Sequence, residues 1–147
     1  MAKFEIERKF LVADDSYKSL ATGCGEMAQG YLSRRKESTV RVRIVDGRGY
    51  LTVKGVTTGA TREEYEYEVP LEDARRMLLM CEGKVVEKRR WIVPYAGYMW
   101  EVDEFTGRLA GLTLAEVELP SEECRVELPP FVSSEVTGDP AYYNSNL

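Results

Sequence analysis

The chain has 147 residues, 44% hydrophobic and 31% charged, with a formal net charge of −5. Those values fit one globular domain spanning residues 1–147, with a sizeable core, and exclude a disordered chain. The acidic balance argues against a nucleic-acid polymer as partner, whose footprint is usually basic, but leaves room for a small anion at a local basic cluster.

The first predicted strand runs from Lys3 to Val12 and contains Glu5-Ile6-Glu7-Arg8-Lys9. Strand positions two apart share a face, so Glu5, Glu7 and Lys9 stand together and Arg8 points away. Two carboxylates roughly 7 Å apart repel by roughly 2 kcal/mol at an effective dielectric of about 20. A divalent cation between them turns that repulsion into coordination. Tyr17 to Ala21 reads as a short helical turn, and Gly23 and Gly25 mark a loop. Met27 to Ser33 is a second strand with Gln29 and Tyr31 on one face. Arg34-Arg35-Lys36-Glu37 is either a solvated hairpin turn or one lip of a phosphate site.

Val40 to Val45 alternates strictly, with Arg41 and Arg43 on the polar face. Asp46-Gly47-Arg48-Gly49 is a hairpin turn, and Tyr50 to Lys54 returns with Thr52 and Lys54 on that face. Gly55 to Ala60 is a loop. The strand from Arg62 carries Glu64 and Glu66 in the same parity, with Glu68 at its end, and stops at Pro70. Leu71 to Glu82 is a helix whose apolar stripe serves packing, stopped by Gly83. Val85 to Val93 places Lys88 and Arg90 on one face, and Pro94 to Gly97 turns the chain. Tyr98 to Phe105 places Glu101 and Asp103 together, and Leu114 to Leu119 does the same for Glu116 and Glu118. In the tail, Phe131, Val132 and Val136 suggest a docked short helix, and Tyr142, Tyr143 and Leu147 can cap one end of the fold.

The chain has no histidine, which excludes Ser-His and Cys-His nucleophilic catalysis and zinc sites of the Cys/His type. Cys24, Cys81 and Cys124 are widely spaced without a CxxC pair, which suits structural thiols in a reducing compartment. Met1-Ala2-Lys3-Phe4 leads straight into charge without a signal peptide, and no apolar run approaches the roughly 20 residues of a membrane helix. The expected location is the cytoplasm, with no membrane partner.

The fold class expected is mainly β with a few helices: about eight antiparallel strands separated by short turns, closed or nearly closed. Three arrangements fit the alternation: an open sheet with one wet face, a membrane barrel with a polar lumen, or a soluble barrel with charge inside and helices outside. The membrane barrel would put Glu63, Glu87 and Arg89 in lipid, each costing up to a few kcal/mol. The soluble barrel demands an interior filled by ligand, water or ions. Arginines and lysines suit phosphate oxygens, and clustered carboxylates suit Mg²⁺ or Mn²⁺ held together with phosphate and water. Together they read as a metal-assisted polyphosphate site, where positioning and charge stabilisation dominate the chemistry.

Glu5-x-Glu7-x-Lys9 resembles the ExExK signature of the CYTH superfamily, the triphosphate tunnel metalloenzymes. Gln29-Gly30-Tyr31-Leu32, Val40-Arg41-Val42-Arg43, Leu51-Thr52-Val53-Lys54, Arg62-x-Glu64-x-Glu66, Lys88-x-Arg90, Trp100-Glu101-Val102-Asp103 and Ala115-Glu116-Val117-Glu118-Leu119 follow in the family's order. Glu135 to Asp139 and Tyr143 to Leu147 resemble the tail of its compact bacterial branch. The resemblance spans essentially the whole chain. It implies an antiparallel β-barrel tunnel of eight strands, helices outside, that binds a triphosphate and Mg²⁺ or Mn²⁺. It also implies that Lys9, Arg41, Arg43, Lys54, Arg62, Lys88 and Arg90 grip phosphate. Glu5, Glu7, Asp103, Glu116 and Glu118 would hold metal, with Glu64, Glu66 and Glu101 nearby. Tyr31 would be the proton acceptor, favoured by surrounding cations; its hydroxyl can equally be only the hydrogen-bond partner of an ionic neighbour. With no evident base pocket, the expected activity is hydrolysis of inorganic triphosphate. A class IV-type adenylyl cyclase, a thiamine or nucleoside triphosphatase, and a non-catalytic polyphosphate- or nucleotide-binding module are the alternatives. A homodimer through exposed Tyr and Trp stays open.

Overall fold

A computed structural model describes residues 4–147; Lys3, expected to open the first strand, lies outside the described residues. The strands are β1 (Phe4–Val12), β2 (Gly23–Ser33), β3 (Thr39–Val45), β4 (Arg48–Lys54), β5 (Thr61–Val69), β6 (Glu82–Tyr95), β7 (Tyr98–Phe105), β8 (Thr113–Glu118) and β9 (Val132–Glu135). All pairings are antiparallel, in the order β5-β4-β3-β2-β6-β7-β8-β1, and a β5–β1 pairing closes the ring. Eight strands therefore form a closed barrel, and β9 is an added ninth. β1 achieves this by dividing one edge. Phe4 to Ile6 pair with β5, and Phe10 and Val12 further along pair with β9, while Glu7 to Leu11 pair with β8 on the opposite edge.

Two helices, α1 (Tyr17–Leu20) and α2 (Leu71–Leu79), pack outside, α2 against β2, β3 and β4 and α1 against β6. The main core also lies outside the ring. Phe10, Val93, Trp100, Val102, Ala115 and Val117 are on outward parities and pack with Tyr17 and Phe131. The stretch 119–131 covers this apolar face, so the charged parities are left inside.

The inner face is not charged throughout. Val86, Phe105 and Leu114 share the inward parity of Lys88, Asp103 and Glu116, and form a second apolar cluster with Leu11, Leu112, Tyr142 and Leu147. It plugs one end of the interior. No described helix is long and apolar enough to cross a membrane.

Several boundaries differ from those expected. Gly23 and Gly25 are inside β2, paired with Ile92 and Arg90; Gly25 gives close passage, since a Cβ there would stand 3.2 Å from an Asp46 carboxylate oxygen. α2 ends at Leu79, and Glu82 and Gly83 open β6 instead of ending the helix. β6 continues through Pro94, which lies beyond its last β2 partner, Ile92, where a missing N–H is tolerated. The turn is Ala96-Gly97, both at positive φ. The tail segment expected as a short helix is β9, because β1 offers unpaired backbone groups beyond its contact with β5.

Candidate active site

The barrel interior holds two adjoining chambers of about 70 and 200 Å³, sharing Glu5, Glu7, Arg41, Lys54 and Asn144. The first adds Lys9, Tyr31 and Arg62; the second adds Arg43, Glu64, Glu66, Arg90, Glu101, Glu116 and Glu118. Adjacent strands bring these side chains together by register: Glu7 faces Glu118, Lys9 faces Glu116 and Tyr31 faces Arg41.

One part of the interior is ionically saturated. Lys88 Nζ donates to Asp103 Oδ2 at 2.7 Å. Arg90 donates from Nε to Oδ1 at 2.7 Å and from Nη2 to Oδ2 at 2.9 Å, and from Nη1 to Glu101 at 3.0 Å. Burial alone would raise the Asp103 carboxyl, but Lys88 and Arg90 overcome it and hold it down to about 2. Burial pushes the Lys88 ammonium down, with Asp103 pulling against it. Lys88 and Asp103 line neither chamber. Lys88, expected on phosphate, and Asp103, expected on metal, are paired with each other at 2.7 Å.

The other part is unsaturated. Burial, then the charges of Glu116 and Glu5, lift the Glu7 carboxyl well above its usual range. Glu5 is raised by burial and by its hydrogen bond with Glu64, against Lys54, whose Nζ lies 3.2 Å from each Glu5 oxygen. Glu118 is raised by burial and by Glu5 and Glu101. Glu64 differs: its Oε2 lies 3.4 Å from Lys54 Nζ, and although burial would raise its carboxyl, the Glu5 hydrogen bond, Lys54 and Arg41 hold it below its usual range. Glu116 differs too: burial would raise it, but Lys9, Arg90 and Lys88 hold it well below the carboxylate range. Uncompensated hard oxygen donors of this kind fit Mg²⁺ or Mn²⁺ in chemistry. Among the described residues no three of them converge on one point in the present side-chain arrangement.

The cations facing them are similarly under-used. Burial pushes the Arg43 guanidinium down to about 10, helped by Arg41 and Arg90, and its Nε donates to Gln29 Oε1 at 3.0 Å. Arg41 Nη2 donates to Thr52 Oγ1 at 3.2 Å while its buried Nε has no partner. Arg62 donates to the Gly55 carbonyl at 2.9 Å and to Thr39 Oγ1 at 3.3 Å. Lys9 Nζ donates to the Tyr142 carbonyl at 3.0 Å and lies 3.5 Å from Glu116. The buried Tyr31 hydroxyl accepts from Gln29 Nε2 at 3.2 Å. An anion with several oxygens would supply these donors with acceptors.

Sequence reasoning missed the tail's share. Thr137 Oγ1 accepts from the Lys9 backbone N–H at 2.9 Å, and Asn144 lines both chambers with its Oδ1 buried and unpartnered. Neither belongs to an alternating strand, so no periodicity marked them. Arg8 is on the outer surface, paired bidentately with Glu135 at 2.9 and 2.7 Å.

A closed antiparallel barrel with its charge inside and its apolar core outside defines the class of protein. The model of the CYTH domain matches residues 3–135, and the chain belongs to that family. It is 51% identical over 144 residues to an inorganic triphosphatase of Acetivibrio thermocellus, covering 97% of this chain and 92% of that protein. It is 35% identical over 147 residues to an inorganic triphosphatase of Nitrosomonas europaea, covering 97% and 95%. A crystal structure of an inorganic triphosphatase superposes with a TM-score of 0.68 at 32% identity, covering 97% of this chain and 92% of that one.

Proposed function

We propose that this protein hydrolyses inorganic triphosphate to pyrophosphate and orthophosphate with the help of Mg²⁺ or Mn²⁺, as one catalytic unit acting in the cytoplasm. The observation that carries this is the shared chamber wall, where Glu5 and Glu7 stand beside Arg41 and Lys54. Glu5 is paired with Lys54, but the crowded Glu7 carboxylate and the unpartnered Arg41 Nε leave charge of both signs that a metal–triphosphate complex would neutralise. The two relatives named for this activity support the same substrate.

Glu5, Glu7, Glu116 and Glu118 would hold the metal, with Glu64, Glu66 and Glu101 behind them. When bound, the metal supplies Lewis-acid polarisation of phosphate oxygens. Arg41, Arg43, Lys54 and Arg62 take the remaining phosphate oxygens and fix the chain of phosphates along the tunnel. Arg90, fixed by Asp103 and Glu101, faces the second chamber at one wall. Lys9 steadies the phosphate next to the scissile bond. Tyr31, lining the same chamber, acts as a phenolate that takes one proton from the attacking water, while the water oxygen bonds to phosphorus and the bond from that phosphorus to the bridging oxygen of the leaving pyrophosphate breaks. Charges already fixed by the barrel wall need no reorganisation as charge develops.

Phosphate release should be compared for tripolyphosphate, adenosine triphosphate and thiamine triphosphate, each with Mg²⁺, Mn²⁺ or chelator. Tripolyphosphate is expected to be the best substrate, with chelator abolishing release. Absence of metal-dependent release from tripolyphosphate overturns the proposal.

A further inference from the structure

The tail after β9 forms one wall of the first chamber. Tyr142 and Leu147 anchor it on the apolar plug. Between these anchors, Tyr143 and Ser145 each line the chamber on one side and an outer recess of about 460 Å³ on the other. That recess is bounded by Arg34, Lys36 and the exposed Val56. Thr39, Thr57 and Arg62 also line both spaces, so the tail forms one side of a thin partition between the tunnel and a basic, partly apolar hollow.

Arg34 fastens the partition. Its Nη1 donates to the Ser145 carbonyl, across 111 residues of chain. Its Nε donates to the Glu82 carbonyl at 3.0 Å, which ties the tail to the start of β6. The guanidinium also lies over the Tyr31 ring, 5.4 Å from its centroid. Gly83, at φ 70°, leaves room for this, because a Cβ there would stand 3.0 Å from Nη2. A second tie inside the tail is independent of Arg34: Asn146 Nδ2 donates to the Pro140 carbonyl at 2.7 Å.

Resting on the triphosphatase proposal above, we propose that Arg34 is a specificity-determining positioning residue, which clasps the tail across the tunnel so that a free triphosphate is favoured over a triphosphate esterified to an organic group. Both ends of a free triphosphate are anionic, and the charged chamber can enclose it. An ester must place an uncharged group beyond its phosphates. The adjoining space suited to such a group, the recess beside Tyr143 and Val56, lies across the partition. With Arg34 in place the tail separates the two spaces. With the clasp removed they merge, and the ester gains a route that the free triphosphate does not need.

The test is the ratio of kcat/KM for adenosine triphosphate to that for tripolyphosphate, with the affinity ratio for the same two ligands measured calorimetrically. Arg34→Ala should raise both ratios at least tenfold, and Arg34→Lys, which keeps a donor and a charge, less than threefold. Asn146→Ala should shift them the same way by a smaller factor. Arg35→Ala, an exposed neighbour outside the clasp, should leave them within twofold. General damage to the fold lowers both substrates alike and leaves the ratios unmoved. Ratios unchanged in folded Arg34→Ala, or in Asn146→Ala if Arg34→Ala does not fold, overturn the inference. A wild type inert on tripolyphosphate overturns the activity instead, and the affinity ratios still decide the role of Arg34.

Discussion

Two regions of one barrel interior, built from the same residue types, behave in opposite ways. Around Asp103, every carboxylate oxygen meets a lysine or arginine hydrogen, and the group is sealed from the chambers. Around Glu5 and Glu7, carboxylates crowd one another, and Glu7 is held well above its usual range. The first arrangement is complete by itself and stabilises the wall. The second shares one cation, Lys54, between Glu5 and Glu64 and leaves Glu7 crowded by Glu116 and Glu5. Charge inside a barrel therefore does not announce a site; unbalanced charge does.

Substitutions can break this contrast, beginning with the saturated region. Asp103→Asn leaves Lys88 buried without its anion and Arg90 with Glu101 alone, and should cost about 3–5 kcal/mol in denaturant unfolding. The Asp103 carboxyl titrates near 2 when folded, below its ordinary 3.8, so its stabilisation is present above pH 3.8 and is lost as pH falls towards 2. Acid unfolding of the wild type should steepen in that window, and the Asp103→Asn profile should be flatter there.

In the unsaturated region the largest effect should be on turnover. Lys9→Ala should lower kcat for tripolyphosphate by about 100- to 1,000-fold, the usual consequence of removing one fixed charge from a reacting group. Glu7→Gln should separate activity from stability. It removes a carboxylate that burial and its neighbours disfavour, so the ligand-free melting temperature should rise by about 2–4 °C, while metal-dependent turnover collapses. A fall in melting temperature would mean that Glu7 is already compensated. The smallest effect belongs to Arg8, one residue from Lys9 on the opposite face. Arg8→Ala should cost less than about 1 kcal/mol through its partly exposed pair with Glu135, and change kcat less than twofold.

Much of this was legible from strict alternation. Tyr98 to Phe105 was bounded correctly because Trp100 and Val102 alternate with Glu101 and Asp103 without interruption. Charge recurring at one parity left an open sheet, a membrane barrel and a soluble inside-out barrel all possible, and the resemblance to the CYTH family singled out the closed tunnel. The apolar plug was legible in part: Tyr142 and Leu147 were expected to cap one end, but Leu11, Val86, Phe105 and Leu114, as ordinary strand residues, say nothing about which end of the tunnel they close. β9 escaped because a short strand exists only where β1 leaves an edge free. The pairing of Asp103 with Lys88 and Arg90 depends on the register of β6 against β7, which residue type alone does not set. Asn144 and the contact of Arg34 with the tail were hidden for the same reason, since both arise when the tail docks on a distant part of the chain.

The most direct measurement follows orthophosphate and pyrophosphate together as tripolyphosphate is consumed, with metal withdrawn by chelator and then restored. The account predicts one of each product per triphosphate, arrest on chelation and resumption on restoring Mg²⁺ or Mn²⁺. Tight binding of tripolyphosphate and metal with neither product released would contradict it.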